Sequence, residues 1–330
     1  MKLQIAILVG AIISQTPLLS SSQPVENLRG QRRQLRLPKT ECILFLKDVQ
    51  YLPFEERRDA TDHIHHNHIE EKWSCEFNPA LGANLGVDIV EIEGINGTFF
   101  ERHGAKSGLS TMVVSESIIK GKETMVVPST ASVEVRELSD DYYNKNYPRR
   151  HRRRRLAATS GTLRTLVIRV IGKDGAAPTP SVNKIRADVF EDRLCLKSQY
   201  DACSYGQLII EPFQGKTQTG RKIAGGVVDV KIDSNPKVGS KQKFETKAKA
   251  KATEIYGDLT QFDLVMFCMP PGTGDWVAYA YINRWDSFYN DNWCSSVSTQ
   301  VHEIGHTLGL AHSGEGESKY GDQSGMMVRR

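Results

Sequence analysis

The chain has 330 residues, 39% hydrophobic and 25% charged, with 27 Gly, 13 Pro and 6 Cys. These values exclude wholesale disorder, a collagen-like repeat and a multi-span membrane protein, and the length suggests two domains. The formal net charge is +4, but six arginines lie between Arg149 and Arg155 and the remainder is net negative, so a generally basic, nucleic-acid-binding protein is not expected.

Met1-Lys2 is followed by an apolar run from Leu3 to Ile13 and a small polar stretch, Ser20-Ser21-Ser22-Gln23. That order is the pattern of a secretory signal, assigned to residues 1–22. Ser14, Gln15 and Thr16 interrupt the run, well short of the roughly 20 apolar residues of a membrane span. No later segment reaches that length, so a soluble secreted protein with no membrane association after signal removal is expected. Export makes the six cysteines disulfide candidates. The shortest loops pair Cys42 with Cys75, Cys195 with Cys203 and Cys268 with Cys294.

Residues 41–138 contain short β-branched runs at Ile43–Leu46, Val87–Ile92, Met112–Val114, Met125–Val127 and Val133–Val135. Their alternation predicts a small β-rich fold. Asn96-Gly97-Thr98 is a candidate glycosylation acceptor. His63, His65, His66 and His68 form a histidine tract whose charged flanks favour a solvated helix or loop over a metal site. The segment Asp140–Pro148 reads as polar and extended. With the arginine cluster and the small residues Leu156–Gly161 it makes an exposed stretch suited to proteolysis. Multiple arginines match what subtilisin-like proprotein convertases cleave, so a maturation cut after Arg155 is expected, with anion binding as the rival reading. The organisation is then a signal at 1–22, a β-rich pro-region at 23–155 and a second domain at 156–330.

In that domain, strands are predicted at Leu163–Ile171, Gln207–Ile210, Val227–Ile232, Phe262–Met269 and Ala278–Ile282. Helices are predicted at Val182–Leu194, Lys241–Tyr256 and Ser296–Leu310. Strands alternating with helices indicate an α/β fold. Trp276, Trp285, Trp293, Tyr279, Tyr281, Phe288 and Tyr289 read mainly as core. Asp286, Asn290, Asp291 and Asn292 offer oxygen ligands for calcium, but an Asn/Asp-rich turn explains them equally well.

The last helix carries His302-Glu303-Ile304-Gly305-His306-Thr307-Leu308-Gly309-Leu310-Ala311-His312. Residues four apart on a helix are about 40° apart around its axis, so His302 and His306 can face one ion. Gly309 permits the left-handed turn that ends the helix and returns His312 as a third nitrogen ligand. Three imidazoles with a fourth position open to water describe a catalytic zinc site. Glu303 beside them is placed to take a proton from the attacking water and pass it to a leaving amine. The chemistry expected is peptide-bond hydrolysis with no covalent intermediate.

These residues, with Gly325-Met326-Met327 downstream, resemble the metzincin metalloproteases. The stretch His312-Ser313-Gly314-Glu315-Gly316 and then Tyr320–Met327 is similar to the gametolysin family of secreted algal and protist proteases. Some members of that family have Gln at the first ligand position, where this chain has His302. The resemblance covers roughly residues 160–327. It implies a metzincin-like catalytic domain, with a twisted mixed sheet and an active-site helix, and one zinc ion. It also implies a hydrophobic base under the metal from the methionine turn, assigned to Met326, and a zymogen acting as a monomer on extracellular or cell-wall glycoproteins. In such enzymes the edge strand before the zinc helix pairs with substrate. Many such zymogens are silenced by a cysteine on zinc; Cys42 or Cys75 could serve, although a disulfide between them is favoured. The sequence stops at Arg330, whereas metzincins continue past this turn, so a truncated domain is expected. The alternative is a catalytically impaired binding module.

Overall fold

The computed structural model describes residues 34–52, 69–147, 160–315, 322 and 324–327. The expected signal peptide, the histidine tract and Arg155 lie outside the described residues. All the described residues belong to the compact unit Arg33–Arg330. Among them no helix is long and apolar enough to cross a membrane.

The N-terminal strands are β1 (Gln34–Leu37), β2 (Thr40–Tyr51), β3 (Ile69–Phe77), β4 (Ile89–Glu93), β5 (Ser110–Val114), β6 (Ser117–Lys120), β7 (Thr124–Val126) and β8 (Val133–Glu137). Short helices α1 (Pro79–Leu85), α2 (Gly97–Arg102) and α3 (Asp140–Asn146) lie between or after them. The C-terminal part has β9 (Gly161–Ile171), β10 (Leu208–Pro212), the hairpin β11 (Gly215–Lys216) and β12 (Lys222–Ile223), β13 (Val227–Lys231), β14 (Leu264–Met269), β15 (Trp276–Tyr281) and β16 (Asp286–Asn290). Its helices are α4 (Val182–Arg186), α5 (Leu196–Cys203), α6 (Lys241–Tyr256) and α7 (Val297–Thr307).

All these strands except the β11–β12 hairpin join one 14-stranded mixed sheet, so the α/β class holds. In the C-terminal part β9 pairs in parallel with β10 and β13 on one edge and with β14 on the other. β14 continues in parallel to β16, and β15 closes the series antiparallel to β16. Parallel strands covered on both faces read as continuous apolar runs, and β14 shows why. Val265, Phe267 and Met269 join the cluster that includes Phe244, Ala248 and Ala252 of α6. Leu264, Met266 and Cys268 join the cluster that includes Leu196 and Tyr200 of α5 and Val301 and Ile304 of α7. Burying each such side chain stabilises by about 1.5–3 kcal/mol.

The sheet does not stop at β15. β2 pairs along its length with β3. Its other edge is shared: Thr40–Leu44 pair with β5 and Lys47–Tyr51 pair antiparallel with β15. Ser107 locks this junction by accepting from the Leu46 N–H at 2.8 Å and donating to the Ile282 carbonyl at 2.6 Å. The N-terminal segment is thus built into the same sheet as the C-terminal elements.

Several expectations change. Asp140–Asn146 is a helix rather than extended, capped by the Ser139 side chain with Asp140 and Asp141 in its first turn, where negative charge is favoured. The stretch expected as one helix at 182–194 breaks into α4 and a π-helical turn, Ala187–Glu191. Asp286–Asn290 is a buried strand, not a turn. The Asp286 carboxylate is held by Arg284 and by Lys249 at 2.9 Å, and Asn290 donates to the carbonyls of Gly274 and Trp276. Asp286 and Asn290 are thus committed within the core and are not free to ligate calcium. Cys42–Cys75 and Cys268–Cys294 are disulfides as expected. Cys195 and Cys203 are not paired. They flank α5 at its two ends, about 12 Å apart by helical rise, beyond the roughly 7 Å that a disulfide spans between Cα atoms.

Candidate metal centre and active site

α7 starts where the Ser296 hydroxyl caps the Thr299 N–H, and residues Thr299–Thr307 are all buried. It is held on three sides. Tyr200 of α5 donates to the Val301 carbonyl at 2.8 Å. Gln300 donates to the Cys294 carbonyl at 2.6 Å, and Cys294 is tied to β14 through Cys268. The Asn283 N–H reaches the His306 carbonyl at 2.8 Å. The helix ends at Gly309, whose φ of 87° is a left-handed conformation that a side chain would strain. The chain then turns back so that ligand atoms of His302, His306 and His312 lie within 4.8 Å of one another.

The imidazoles are oriented through their Nδ1 atoms. Nδ1 of His302 lies 3.0 Å from the Met326 carbonyl and Nδ1 of His306 lies 2.9 Å from the Leu310 carbonyl. A carbonyl only accepts, so each Nδ1 carries the proton and each Nε2 presents a lone pair when the ring is neutral. Those two Nε2 atoms face each other at 3.1 Å. Two lone pairs at that distance repel unless a cation lies between them. Burial, and then the neighbouring His302 and His312, hold His306 well below the ordinary imidazole range, which favours the neutral, ligating form. The donor set, its orientation by backbone carbonyls and this paired arrangement all fit zinc.

Glu303 is fully buried, and neither carboxylate oxygen has a hydrogen-bond partner among the described residues. Burial, and after it the nearby Asp48 carboxylate, push Glu303 well above the usual carboxylate range. Such a group is a stronger base when it does ionise.

Both methionines of the turn lie by the helix: the Met327 sulfur lies against Gly305, and Met326 packs against the cluster that includes Val301 and Ile304. The Met326 carbonyl also faces Nδ1 of His302. Adjacent methionines in a turn point different ways, which residue type alone does not resolve. Asn96 is exposed and caps α2 through its side-chain oxygen. Among the aromatic residues, Trp276, Tyr279, Tyr281, Phe288 and Tyr289 are core while Trp293 is exposed.

Two acidic residues beside the histidines were missed by sequence reasoning. Asp48 of β2 places Oδ2 at 3.0 Å from Nε2 of His312 and 3.9 Å from Nε2 of His306. Glu71 of β3 places Oε1 at 3.8 Å from Nδ1 of His312. Burial raises the Asp48 carboxyl to about 7, against the pull of His312 and with added repulsion from Glu71. The only signal available was a charged pair, Lys47-Asp48, following the apolar run Cys42–Leu46 of the strand.

A mixed sheet with a buried three-histidine helix-and-turn site defines a metallopeptidase type of centre. The family described as gametolysin peptidase M11 matches residues 164–330, and the chain belongs to that family. No curated protein and no solved structure matches the chain. The family makes it a peptidase, with proteins as its substrates.

Proposed function

We propose that the chain is a zinc-dependent metalloendopeptidase of metzincin type, with His302, His306 and His312 as metal ligands and Glu303 as general base. The observation that carries this reading is the facing pair of Nε2 atoms, 3.1 Å apart, on imidazoles whose Nδ1 atoms are committed to carbonyls. When bound, zinc supplies Lewis acidity toward water and the scissile carbonyl. Glu303 accepts the proton of the attacking water and returns it to the departing amine nitrogen. The surrounding core keeps bulk water from that carboxylate, and the carbonyls of Met326 and Leu310 hold the rings in the tautomer that presents Nε2. Met327 supports the helix from beneath.

The biological setting follows from sequence and family. A signal at 1–22 directs secretion, residues 23–155 are a pro-region, and a proprotein convertase cuts after Arg155 to release a monomeric enzyme. Its substrates are extracellular or cell-wall glycoproteins. The test is Glu303→Ala in the chain cleaved after Arg155. The variant retains one zinc and loses peptide hydrolysis by about 10²–10⁴-fold. Unchanged hydrolysis in this variant, or a cleaved wild-type protein that holds no zinc, overturns the reading.

A further inference from the structure

We propose that Asp48, delivered by β2, is a fourth protein ligand of the ion held by His302, His306 and His312, so that the intact chain carries a closed metal site. This rests on the metal-site reading above and adds a ligand and a mode of regulation to it.

Asp48 Oδ2 lies beside two of the three histidine nitrogens, those of His306 and His312. A tetrahedral zinc site with bonds of about 2.0–2.1 Å has ligand atoms about 3.3 Å apart. The separations here are 3.1 Å between Nε2 of His302 and His306, 3.0 Å from Asp48 Oδ2 to His312 Nε2, and 3.9 Å from the same oxygen to His306 Nε2. These three separations lie around the required edge; the three histidines form one close group and Asp48 falls in a second with Glu71 and His312, so the fourth ligand closes on the ion from the His306–His312 side. Asp48 is wholly buried, and neither of its oxygens accepts a hydrogen bond among the described residues. A buried carboxylate costs several kcal/mol unless it is paired; the adjacent lysine is committed elsewhere, and the group facing Asp48 is the His312 imidazole at 3.0 Å. Successive side chains of a strand point to opposite faces; Lys47 pairs with Glu91 at 3.0 Å and lies over the Tyr279 ring. A cation among the histidines satisfies both the Asp48 charge and the facing nitrogens.

The backbone supports the same assignment. Asp48 is opposite Ala280 in the β2–β15 ladder, and β15 packs on α7. β2 therefore fills the strand edge nearest the site, where an extended peptide would otherwise add. Zinc with three protein ligands and an open position is catalytic, whereas zinc with four protein ligands is structural. One aspartate thus removes the open position and one strand removes the peptide edge. Neither Cys42 nor Cys75 offers a thiolate for this role, since they are bonded to each other.

The experiment uses the intact chain, uncut at Arg155, loaded with Co(II), and reads visible absorption while acetohydroxamate is added. Intact wild type is expected to bind one cobalt and to bind acetohydroxamate at least about 10-fold more weakly than Asp48→Asn, because the closed form must open first. The cobalt bands of Asp48→Asn are expected to differ from wild type before any hydroxamate is added. If Asp48→Asn fails to fold, wild type decides alone: bands that shift readily at low hydroxamate reveal an open site and overturn the proposal. Equal hydroxamate binding and equal bands in the two proteins overturn the Asp48 assignment while leaving the three-histidine site standing. No cobalt uptake, or uptake unchanged by His302→Ala, overturns the metal-site reading and this proposal with it.

Discussion

The sulfur of Met327 fills the space that a side chain on Gly305 would take. The turn that follows the third histidine thereby docks directly beneath the helix carrying the first two. The same turn orients a ligand, since the neighbouring Met326 carbonyl holds His302. The Ser313 N–H also reaches the Met327 carbonyl at 2.9 Å, joining the turn to the segment just past His312. Packing and ligand orientation are therefore coupled at one place.

Gly305→Ala should destabilise the protein by about 1–3 kcal/mol, the usual cost of overfilling a packed core. Met327→Ala introduced into the same chain should recover part of that loss, giving a coupling of about 0.5 kcal/mol or more in a double-mutant cycle. Urea unfolding of the four proteins measures it. A Gly305→Ala midpoint equal to wild type would show that Met327 does not occupy this site.

Arg284 joins the two halves of the chain. It reaches Glu76 at 3.1 Å, Asp88 at 2.8 Å and also Asp286, and both it and Glu76 are almost wholly buried. Removing one partner of a buried ion cluster leaves the others uncompensated. Arg284→Ala should therefore cost about 3–5 kcal/mol, read as a drop in the unfolding free energy of the intact chain. A loss below about 1 kcal/mol would place this cluster among solvated surface pairs.

Acid should weaken the junction through Glu91. Burial alone pushes its carboxyl upward, but Lys47 and Lys72 and the hydrogen bonds from Lys47 and Gln242 outweigh this and bring it down to about 2. A depressed folded-state pKa means the stabilisation is present above the ordinary value of 4.5 and is lost as the pH falls toward 2. The full effect is about 3 kcal/mol. Unfolding free energies measured across this window should fall in wild type and fall less steeply in Glu91→Gln. Parallel curves for the two proteins would count against Glu91 as the group responsible.

The two unpaired cysteines should react differently. Cys203 is exposed at the end of α5, whereas Cys195 is buried and accepts from the Ser198 N–H as the helix cap. Treating the folded protein with iodoacetamide should add one label, at Cys203, and denaturation without reductant should add a second, at Cys195. Peptide mass mapping distinguishes them. Absence of both labels after denaturation would mean that these two sulfurs are bonded in solution.

The sequence by itself determined the features that arise within a few turns of chain. The spacing of His302, His306 and His312 follows from helical period and one glycine, and the three imidazoles lie together as that arithmetic predicts. α6 falls at Lys241–Tyr256, as its amphipathic pattern predicts, and the apolar runs of β9 and β14 read directly as buried strands. The tertiary structure alone decided what depends on distant partners. Asp286–Asn290 reads as a polar turn until Arg284 and Lys249 neutralise Asp286 in the core. Met326 and Met327 are indistinguishable until one sulfur meets Gly305. Asp48 carries only the weak local signal of a charged pair, Lys47-Asp48, within a strand. It reaches the histidines because β2 pairs with β15, and strand pairing between segments so far apart is fixed by the packing of the whole sheet, not by any period in the chain.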